Sequence, residues 1–415
     1  RDDALYFRDL SNIESVEIVK GPASVLYGRG SSGGMINRVT KKPGLDRSEL
    51  SLSFGSWADK RAEIDLARKG EKLSWRLTGA VEDADSWRSQ QFLKRQALAP
   101  SLQVQFDADT QLLLQADYLK DRRLTDFGIP SYQGRPVDVD PSRYYGAANA
   151  ADADFSESEV ASASATLTHR IDSSLSLRNA LRSYHYTLDR ANTTSGSVNE
   201  VAKTVTFNRG AISRAEYGFF NQTELVQKLA LGGTQHEVLY GVELGRQSKD
   251  TVSYSQTGVA TTDLFNPVLP VLPRAIKGNP SADNRALMTT SALYLQDQLS
   301  LAKSWKALLG LRYDRFEQQT DDRRPGQSDL ERTDNMLSPR AGLVWQPSAE
   351  QSWYLAWSRS FQPSAESFAL ATNNADLAPE ETTNHEIGAK YELFGGAATL
   401  GASLFRLERT NIKVV

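Results

Sequence analysis

From Ser48 onward, apolar and polar residues alternate in segments of roughly ten residues. One such segment shows how the two faces differ, with Leu73, Trp75, Leu77 and Val81 on one side against Ser74, Arg76, Thr78 and Glu82 on the other. A period of two that persists over many segments predicts antiparallel strands whose sheet has two chemically different sides. We count about 15 such strands between Ser48 and Thr410.

The predicted connections between these strands are of two kinds. Short polar turns fall at residues 69–72, 107–110, 172–174, 232–234, 302–304, 347–351 and 395–396. Longer connections are predicted at residues 83–91, 122–157, 189–213, 248–287, 317–333 and 361–381. After the first hairpin the two kinds alternate, which is typical of a membrane barrel with short turns at one end and long loops at the other.

Tryptophans placed near predicted strand ends favour the same architecture. They are Trp57, Trp75, Trp87, Trp353 and Trp357. Aromatic girdles mark the two bilayer interfaces of membrane barrels. The alternative is that these side chains pack inside a soluble sandwich, which the alternation of short and long connections disfavours.

Composition narrows the classes of function. The 415 residues include 48 Lys and Arg against 51 Asp and Glu, so the net charge of −3 gives no basic face for nucleic acid. The chain has no cysteine and four widely spaced histidines, so we expect neither a protein-built metal site nor a cofactor. The sequence contains no run of 18 apolar residues, so it predicts no membrane-spanning helix. A membrane barrel is still possible, because its strands alternate apolar and polar residues and therefore have a low mean hydropathy.

The stretch from Ile13 to Pro43 stands apart from the alternating segments. It reads IESVEIVKGPASVLYGRGSSGGMINRVTKKP and predicts a strand, a turn, a short helix, a glycine-rich loop and a second strand. Gly28 to Gly33 formally matches the dinucleotide fingerprint. That fingerprint follows a strand and opens a helix, whereas these glycines follow a helical turn and lead into a strand, so nucleotide binding is disfavoured.

This stretch resembles the C-terminal part of the plug domain of TonB-dependent outer-membrane receptors. The residues that carry the motif are Glu14, Glu17, Gly21, Pro22, Tyr27, Gly28, Gly33, Gly34 and Asn37. The resemblance implies an all-β membrane protein: residues 1–46 are the C-terminal part of an α+β plug inside the lumen, and residues 47–415 an antiparallel transmembrane β-barrel. Plugged transporters have 22 strands, so we expect the chain to be an internal fragment.

Taken with RLTDFGIPSYQGRPVD at Arg123–Asp138, the motif looks most like a catecholate siderophore receptor. The resemblance implies TonB-dependent active transport of a ferric siderophore across the outer membrane of a Gram-negative cell. The expected partners are the ferric siderophore, outer-membrane lipid and the TonB–ExbB–ExbD complex, which would contact a region upstream of Arg1. Another cargo (haem, cobalamin or a carbohydrate) and a passive porin are the alternatives, and the plug motif speaks against the porin.

Nothing in the chain predicts an enzyme, since no G-x-S-x-G or equivalent nucleophile setting occurs. The strongest ligand-site candidate is the connection from Arg122 to Glu157, where we single out Arg122, Arg123, Phe127, Tyr132, Arg135, Tyr144 and Tyr145. Arginines neutralise an anionic ferric catecholate and aromatic side chains stack on its rings. The alternative is a long loop whose aromatic side chains pack locally.

The charges on the first plug strand have two possible roles. Glu14, Glu17 and Lys20 either form a passive surface pattern or pair with lumen-facing arginines, for which Arg76 and Arg312 are candidates. Partly buried charge pairs contribute little net stability but suit a lock that has to open.

Overall fold

A computed structural model of the chain describes residues 8–29, 33–276, 278–363, 370–372 and 374–412. The first elements are β1 (Ile13–Lys20), α1 (Ser24–Tyr27) and β2 (Gly34–Thr40). The next five strands are β3 (Arg47–Phe54), β4 (Lys60–Arg68), β5 (Leu73–Asp85), β6 (Phe92–Gln105) and β7 (Thr110–Arg123). Three short elements follow: β8 (Ser131–Tyr132), β9 (Arg135–Pro136) and α2 (Ala150–Ala153).

Ten further strands complete the chain. They are β10 (Ser156–Arg170), β11 (Leu175–Asn199), β12 (Thr204–Leu231), β13 (Thr234–Asp263), β14 (Ala282–Ala302), β15 (Trp305–Asp322), β16 (Leu330–Ser348), β17 (Gln351–Gln362), β18 (Glu380–Leu393) and β19 (Ala398–Thr410). Strands β3–β7 and β10–β19 form one antiparallel sheet of 15 strands in which neighbours in sequence are neighbours in space. The predicted strand number is therefore confirmed.

The sheet is amphipathic in the opposite sense to that of a soluble protein. On β15, Arg312 and Asp314 face inward and are 1% and 2% exposed. Leu309, Leu311 and Tyr313, which alternate with them, face outward and are 53%, 45% and 46% exposed. Soluble folds bury the apolar face, whereas a barrel in lipid turns it outward and keeps a polar lumen.

The outer apolar band has the height of a bilayer. On β15 it runs over roughly nine residues, from Trp305 to Tyr313, and a membrane strand needs about 9–11. Trp305, Trp345 and Trp353 mark its lower edge, because they stand side by side in the register of β15, β16 and β17. The rings of Trp305 and Trp345 stack with their centroids 6.1 Å apart. This is an aromatic girdle at the short-turn end.

The predicted girdle needs one correction. Trp75 and Trp353 lie close to the starts of β5 and β17, and Trp57 and Trp87 lie in connections at the opposite end of the sheet. Trp357 lies midway along β17, because that strand continues to Gln362, so its placement at a strand end was wrong.

The short-turn end agrees with expectation, with connections at residues 69–72, 106–109, 171–174, 232–233, 303–304, 349–350 and 394–397. At the other end, the long connection predicted at 189–213 was wrong. There β11 and β12 continue as one paired hairpin closed at residues 200–203.

The long connection predicted at residues 248–287 is shorter in the structure, where it spans residues 264–281, because β13 continues to Asp263. Strands β12 and β13 have 28 and 30 residues, far more than the about 9–11 that cross a bilayer.

The plug motif forms a hairpin separate from the large sheet. β1 and β2 pair antiparallel, from Lys20 opposite Gly34 to Ile13 opposite Thr40. Gly34 has φ +129°, and a Cβ there would lie 2.3 Å from the carbonyl oxygen of Val19. Only glycine fits that position. Residues 30–32 of the glycine-rich loop lie outside the described residues.

Helices contribute little to the described part of the chain. Both α1 and α2 have four residues. Across the residues that the structure describes, no helix has the length and apolar character needed to cross a bilayer.

Candidate functional site

The plug segment is attached to the inner wall at three places, the first of which is Asp9. Both carboxylate oxygens of Asp9 accept hydrogen bonds from the guanidinium of Arg61 on β4, at 2.9 and 3.0 Å. Arg95 on β6 adds an ion pair at 3.5 Å. Burial alone would raise the pKa of Asp9, but the hydrogen bonds from Arg61 and Ser11 outweigh it, and the pKa falls to about 2.

The second attachment surrounds Asp65 on β4. Arg76 on β5 donates to both carboxylate oxygens of Asp65 at 2.8 Å, and Lys41 of the plug segment pairs with the same carboxylate at 3.0 Å. Arg76 also donates to the carbonyl oxygen of Lys42 at 3.1 Å and pairs with Glu14 at 3.5 Å. The predicted Glu14–Arg76 pair is therefore present, although the wall residue Asp65 is the nearer partner of Arg76.

Glu17, the other predicted plug acid, pairs with neither Arg76 nor Arg312 among the described residues. Glu17 accepts a 2.8 Å hydrogen bond from Asn37 across the β1–β2 hairpin. Arg312 pairs with Glu243 at 3.0 Å and with Asp314 at 2.8 Å. Its assignment as a partner of the plug was wrong, because its Nε and Nη2 are bound to these two wall carboxylates and it pairs with no plug carboxylate within the described residues.

The third attachment is Arg29, which follows α1 and is buried against three strands of the wall. Its Nη1 donates to Thr290 Oγ1 at 2.6 Å and its Nη2 to Gln247 Oε1 at 2.9 Å. The guanidinium carbon lies 4.2 Å from the ring centroid of Phe316. The sequence analysis did not predict that Arg29 contacts the wall, because Arg29 lies in the Gly28–Gly33 motif, whose only weighed function was nucleotide binding.

A hydrogen-bond chain continues from Arg29 along the wall. Gln247 Nε2 donates to the Tyr184 hydroxyl at 2.7 Å, and that hydroxyl donates to Glu216 Oε1 at 2.5 Å. The Tyr184 ring lies flat on Gly218 of the neighbouring strand, where a Cβ would come within 2.1 Å of the ring. Four wall residues on β11, β12 and β13 thus support one plug side chain.

Two arginines lie nearer the long-connection end of the same strands. Arg190 is opposite Ile212, and Arg214 is opposite Leu188, in the register of β11 and β12. This diagonal relation places their α-carbons about 7–8 Å apart. Arg190 Nε lacks a hydrogen-bond partner among the described residues. Arg214 is buried and Arg190 is half-buried, so this part of the wall places two positive charges close together.

Above the barrel, three segments pack into one structure that we call the crown: residues 124–155, residues 264–276 and the β11–β12 hairpin tip at 191–212. Its centre is the buried carboxylate of Asp154, which accepts hydrogen bonds from the Tyr144 hydroxyl at 2.8 Å, Thr193 Oγ1 at 2.7 Å and the Ala147 amide at 2.7 Å. Burial raises the pKa of Tyr144, and the adjacent carboxylate of Asp154 raises it further. Tyr144 therefore remains a hydrogen-bond donor.

Two segments of the crown, residues 124–155 and the segment that begins at Leu264, also bind each other directly. The Tyr145 hydroxyl donates to the carbonyl oxygen of Leu264 at 2.6 Å. Asn149 exchanges two hydrogen bonds with the backbone of Leu272, at 2.9 and 3.0 Å. The Tyr132 ring meets Phe265 edge-on at 5.4 Å. The crown is therefore a packed structure with its own apolar core.

The structure separates the seven predicted ligand residues. Tyr144 and Tyr145 are each 2% exposed and hold the crown together, while Tyr132 is half-buried. Phe127 and Arg135 are exposed.

The two remaining predicted ligand residues are at the top of β7. Arg122 lies between the rings of Phe92 and Phe155 and pairs with Glu157 at 3.3 Å. Arg123 donates to Asp121 at 2.6 Å. Both guanidinium groups are thus already engaged with the protein.

Sequence reasoning also missed Arg190, Arg214 and Asp154. The signal for the arginines was the spacing of Tyr184, Tyr186, Leu188 and Arg190, which places them on one strand face. In the part of the chain that the structure describes, no group of three or more His, Asp or Glu side chains is arranged to hold a metal ion.

Comparison with known proteins agrees with this architecture. The family model described as "TonB dependent receptor-like, beta-barrel" matches residues 97–414, and that of the TonB-dependent receptor plug domain matches residues 1–35. The chain is 30% identical to the metal-pseudopaline receptor CntO of Pseudomonas aeruginosa, over 97% of this chain and 58% of the relative.

Two further proteins extend the comparison. The chain is 30% identical to the ferrioxamine B receptor of Salmonella typhimurium, over 96% of this chain and 57% of the relative. The closed form of the ferric-catecholate import receptor Fiu of Escherichia coli K12 superposes with a TM-score of 0.86 at 23% identity, over 97% of this chain and 64% of that one. The chain thus spans less than two thirds of the length of these proteins.

Proposed function

The chain belongs to the family of TonB-dependent receptors, and from that premise we propose that its parent protein imports an anionic ferric chelate, of the catecholate class, across the outer membrane of a Gram-negative cell. The observation that carries the proposal is a plug segment attached to the inner wall of a barrel at Asp9, Asp65 and Arg29. We assign residues 1–46 to the plug and 47–415 to the barrel. Members of this family are transport receptors, and we propose no catalytic role.

The attached plug favours gated transport over passive diffusion. Each attachment joins a plug side chain to wall residues through charge-assisted hydrogen bonds, which are strong but replaceable by water. Such a plug has to be moved by external work. We propose that the TonB–ExbB–ExbD complex supplies it through a region outside this chain.

The charge of the wall above the plug supports an anionic cargo. Arg190 and Arg214 are neighbours on the inner face of β11 and β12, between the plug attachment of Arg29 and the crown. A ferric ion held by three catecholate groups is an anion, whereas a ferric trihydroxamate is neutral or, with a free amine, cationic. The wall arginines therefore favour the catecholate complex electrostatically.

Sequence identity to these relatives does not indicate which chelate the protein transports. The two relatives at 30% identity are named for pseudopaline and for ferrioxamine B, which are different chelators. We propose Phe127, Tyr132 and Arg135 as crown contacts to the ligand. Tyr144 and Tyr145 instead fix the crown, and Arg122 and Arg123 are engaged with neighbouring side chains.

A binding experiment tests the charge argument. The full-length protein in neutral detergent is titrated with a ferric tris-catecholate and with a ferric trihydroxamate, following quenching of tryptophan fluorescence. We expect the catecholate to bind more tightly, and we expect Arg190→Gln with Arg214→Gln to weaken it at least tenfold.

The matched control removes two other arginines from the same end of the barrel, Arg323→Gln with Arg324→Gln, and should bind as the native protein does. Equal binding of both chelates, or equal loss in both double variants, would contradict an anion site at Arg190 and Arg214.

A further inference from the structure

The inner wall of the barrel carries three buried hydroxyl groups next to the short plug helix. They belong to Ser338 on β16, Ser360 on β17 and Thr382 on β18, which are 0%, 1% and 0% exposed. Ser360 is opposite Thr382 in the register. Ser338 lies two residues from Arg340, which is opposite Ser358. The three hydroxyls therefore form a row across three strands, which we call the hydroxyl row.

The hydroxyl row is enclosed but has no hydrogen-bond partner among the residues that the structure describes. Less than 1 Å² of each oxygen is accessible to water. The side-chain oxygen of Asn384, two residues from Thr382 on β18, is equally enclosed and unpartnered. Enclosing a polar group removes its hydrogen bonds to water, and this costs free energy when no new partner replaces them. Because native proteins satisfy most buried polar groups, four unpartnered ones in one place need a physical reason.

The plug segment covers this part of the wall with an apolar turn. Helix α1 lies against β15, β16 and β17. Its Val25 is 2% exposed, and a Cβ at Gly310 on β15 would lie 3.0 Å from Val25 Cγ1. A Cβ at Gly21, just before α1, would lie 3.4 Å from Asn384 Nδ2 on β18. The turn from Gly21 to Tyr27 therefore lies over polar wall groups, and within the described part of the chain it gives the hydroxyl row no hydrogen bond.

This contact differs from the attachments of the plug at Asp9 and Asp65. There, plug and wall groups of opposite charge bond each other, Asp9 with Arg61 at 2.9 Å and Lys41 with Asp65 at 3.0 Å. Closing the plug at those places replaces bonds to water by charge-assisted bonds within the protein. Closing it over the hydroxyl row removes water and supplies no replacement, so the free energy of the closed state is raised there.

We propose that the hydroxyl row is a release device for the plug. It makes the closed position less stable than the attachments alone would make it, and its return to water when α1 leaves lowers the external work of opening. The proposal rests on the proposed gated movement of the plug and is independent of the chelate.

The test is to remove the three hydroxyls with little change of shape, by Ser338→Ala with Ser360→Ala and Thr382→Val. The cost of dehydrating the row then disappears, so the closed plug should become more stable. In the full-length protein in neutral detergent, we expect hydrogen–deuterium exchange of residues 13–40 to slow by about tenfold. Thr382→Val alone preserves the side-chain shape and should slow exchange by about threefold if the triple variant does not fold. Heat-modifiable gel mobility verifies folding.

Thr78→Val is the matched control. Thr78 on β5 is 1% exposed, and its hydroxyl donates to Asn12 Oδ1 of the plug segment at 3.4 Å. Because this hydroxyl has a plug partner, the same substitution should leave plug exchange as fast as in the native protein or make it faster. Unchanged or faster exchange without the hydroxyl row, or equal slowing in Thr78→Val, would overturn the proposal. The measurement needs neither TonB nor a chelate, so the gated plug itself is contradicted only by uptake that persists without TonB.

Discussion

The hydrogen-bond chain behind Arg29 predicts that a methyl group on the barrel wall will loosen the plug. In Gly218→Ala, the new Cβ would lie 2.1 Å from the Tyr184 ring, so the ring has to leave its place. Tyr184 then loses its bond to the Glu216 carboxylate, about 1.5–3 kcal/mol, and its bond from Gln247, about 0.5–1.5 kcal/mol. We expect a loss of about 2–4 kcal/mol in local stability.

The loss reaches the plug because Gln247 also accepts the hydrogen bond of Arg29. A Gln247 side chain without its Tyr184 partner is no longer held in the orientation that Arg29 requires. Even about 1.4 kcal/mol transmitted to the plug raises its open population about tenfold. Hydrogen–deuterium exchange of residues 13–40, measured in the full-length protein, should accelerate by about that factor.

Gly388→Ala is the matched control. A Cβ at Gly388 would lie 2.4 Å from the Tyr354 ring, whose hydroxyl donates to Glu386 at 2.7 Å. The same kind of pair is lost, but it is not linked to Arg29 by the described hydrogen bonds. Thermal stability should fall in both variants, and plug exchange should accelerate in Gly218→Ala alone. Unchanged plug exchange in Gly218→Ala would refute the coupling of Tyr184 to the plug.

Three further changes test other contacts. Because the pKa of Asp9 is about 2 and that of an unfolded aspartate about 3.9, its stabilisation is complete above about pH 5 and is lost as pH falls through 2. Plug exchange, corrected for its intrinsic rate, should be constant from pH 5 to 8, and Asp9→Asn should accelerate it severalfold by weakening the pair with Arg61. Gly34→Ala should destabilise the plug hairpin by about 1–3 kcal/mol, whereas Gly33→Ala, with open space around it, should be neutral in the same exchange experiment. Asp154→Ala should destabilise the crown by about 3 kcal/mol, seen as faster limited proteolysis there than in native protein; equal rates would contradict its central position.

Sequence reasoning succeeded where lipid imposes a strict pattern. Inside the bilayer, outward positions must be apolar and lumen positions can be polar, so the period of two reveals each strand and their number. Beyond the bilayer both faces of a strand meet water or polar neighbours, and the period disappears. The extended hairpin of β11 and β12 therefore looked like a loop, although it pairs as far as Asn199 and Thr204.

Contacts between distant strands were less predictable. Of the two wall arginines predicted as candidate partners of the plug charges, Arg76 does pair with Glu14. Arg312 was misassigned, since its true partner Glu243 is 69 residues away and adjacent only through the register of three strands. Arg29 was missed for a similar reason, because its acceptors lie on β13 and β14. The register between neighbouring strands determines which side chains form these ion pairs and hydrogen bonds, and the alternation of apolar and polar residues does not determine that register.

The most direct test of the account is uptake of radiolabelled iron by cells that express the complete gene as their sole receptor of this kind. Ferric tris-catecholate and ferric trihydroxamate are compared, each with and without TonB. The account predicts catecholate uptake that is abolished when TonB is deleted, with little uptake of the hydroxamate. Catecholate uptake that persists without TonB would contradict the gated plug, and uptake of the hydroxamate alone would contradict the anionic cargo.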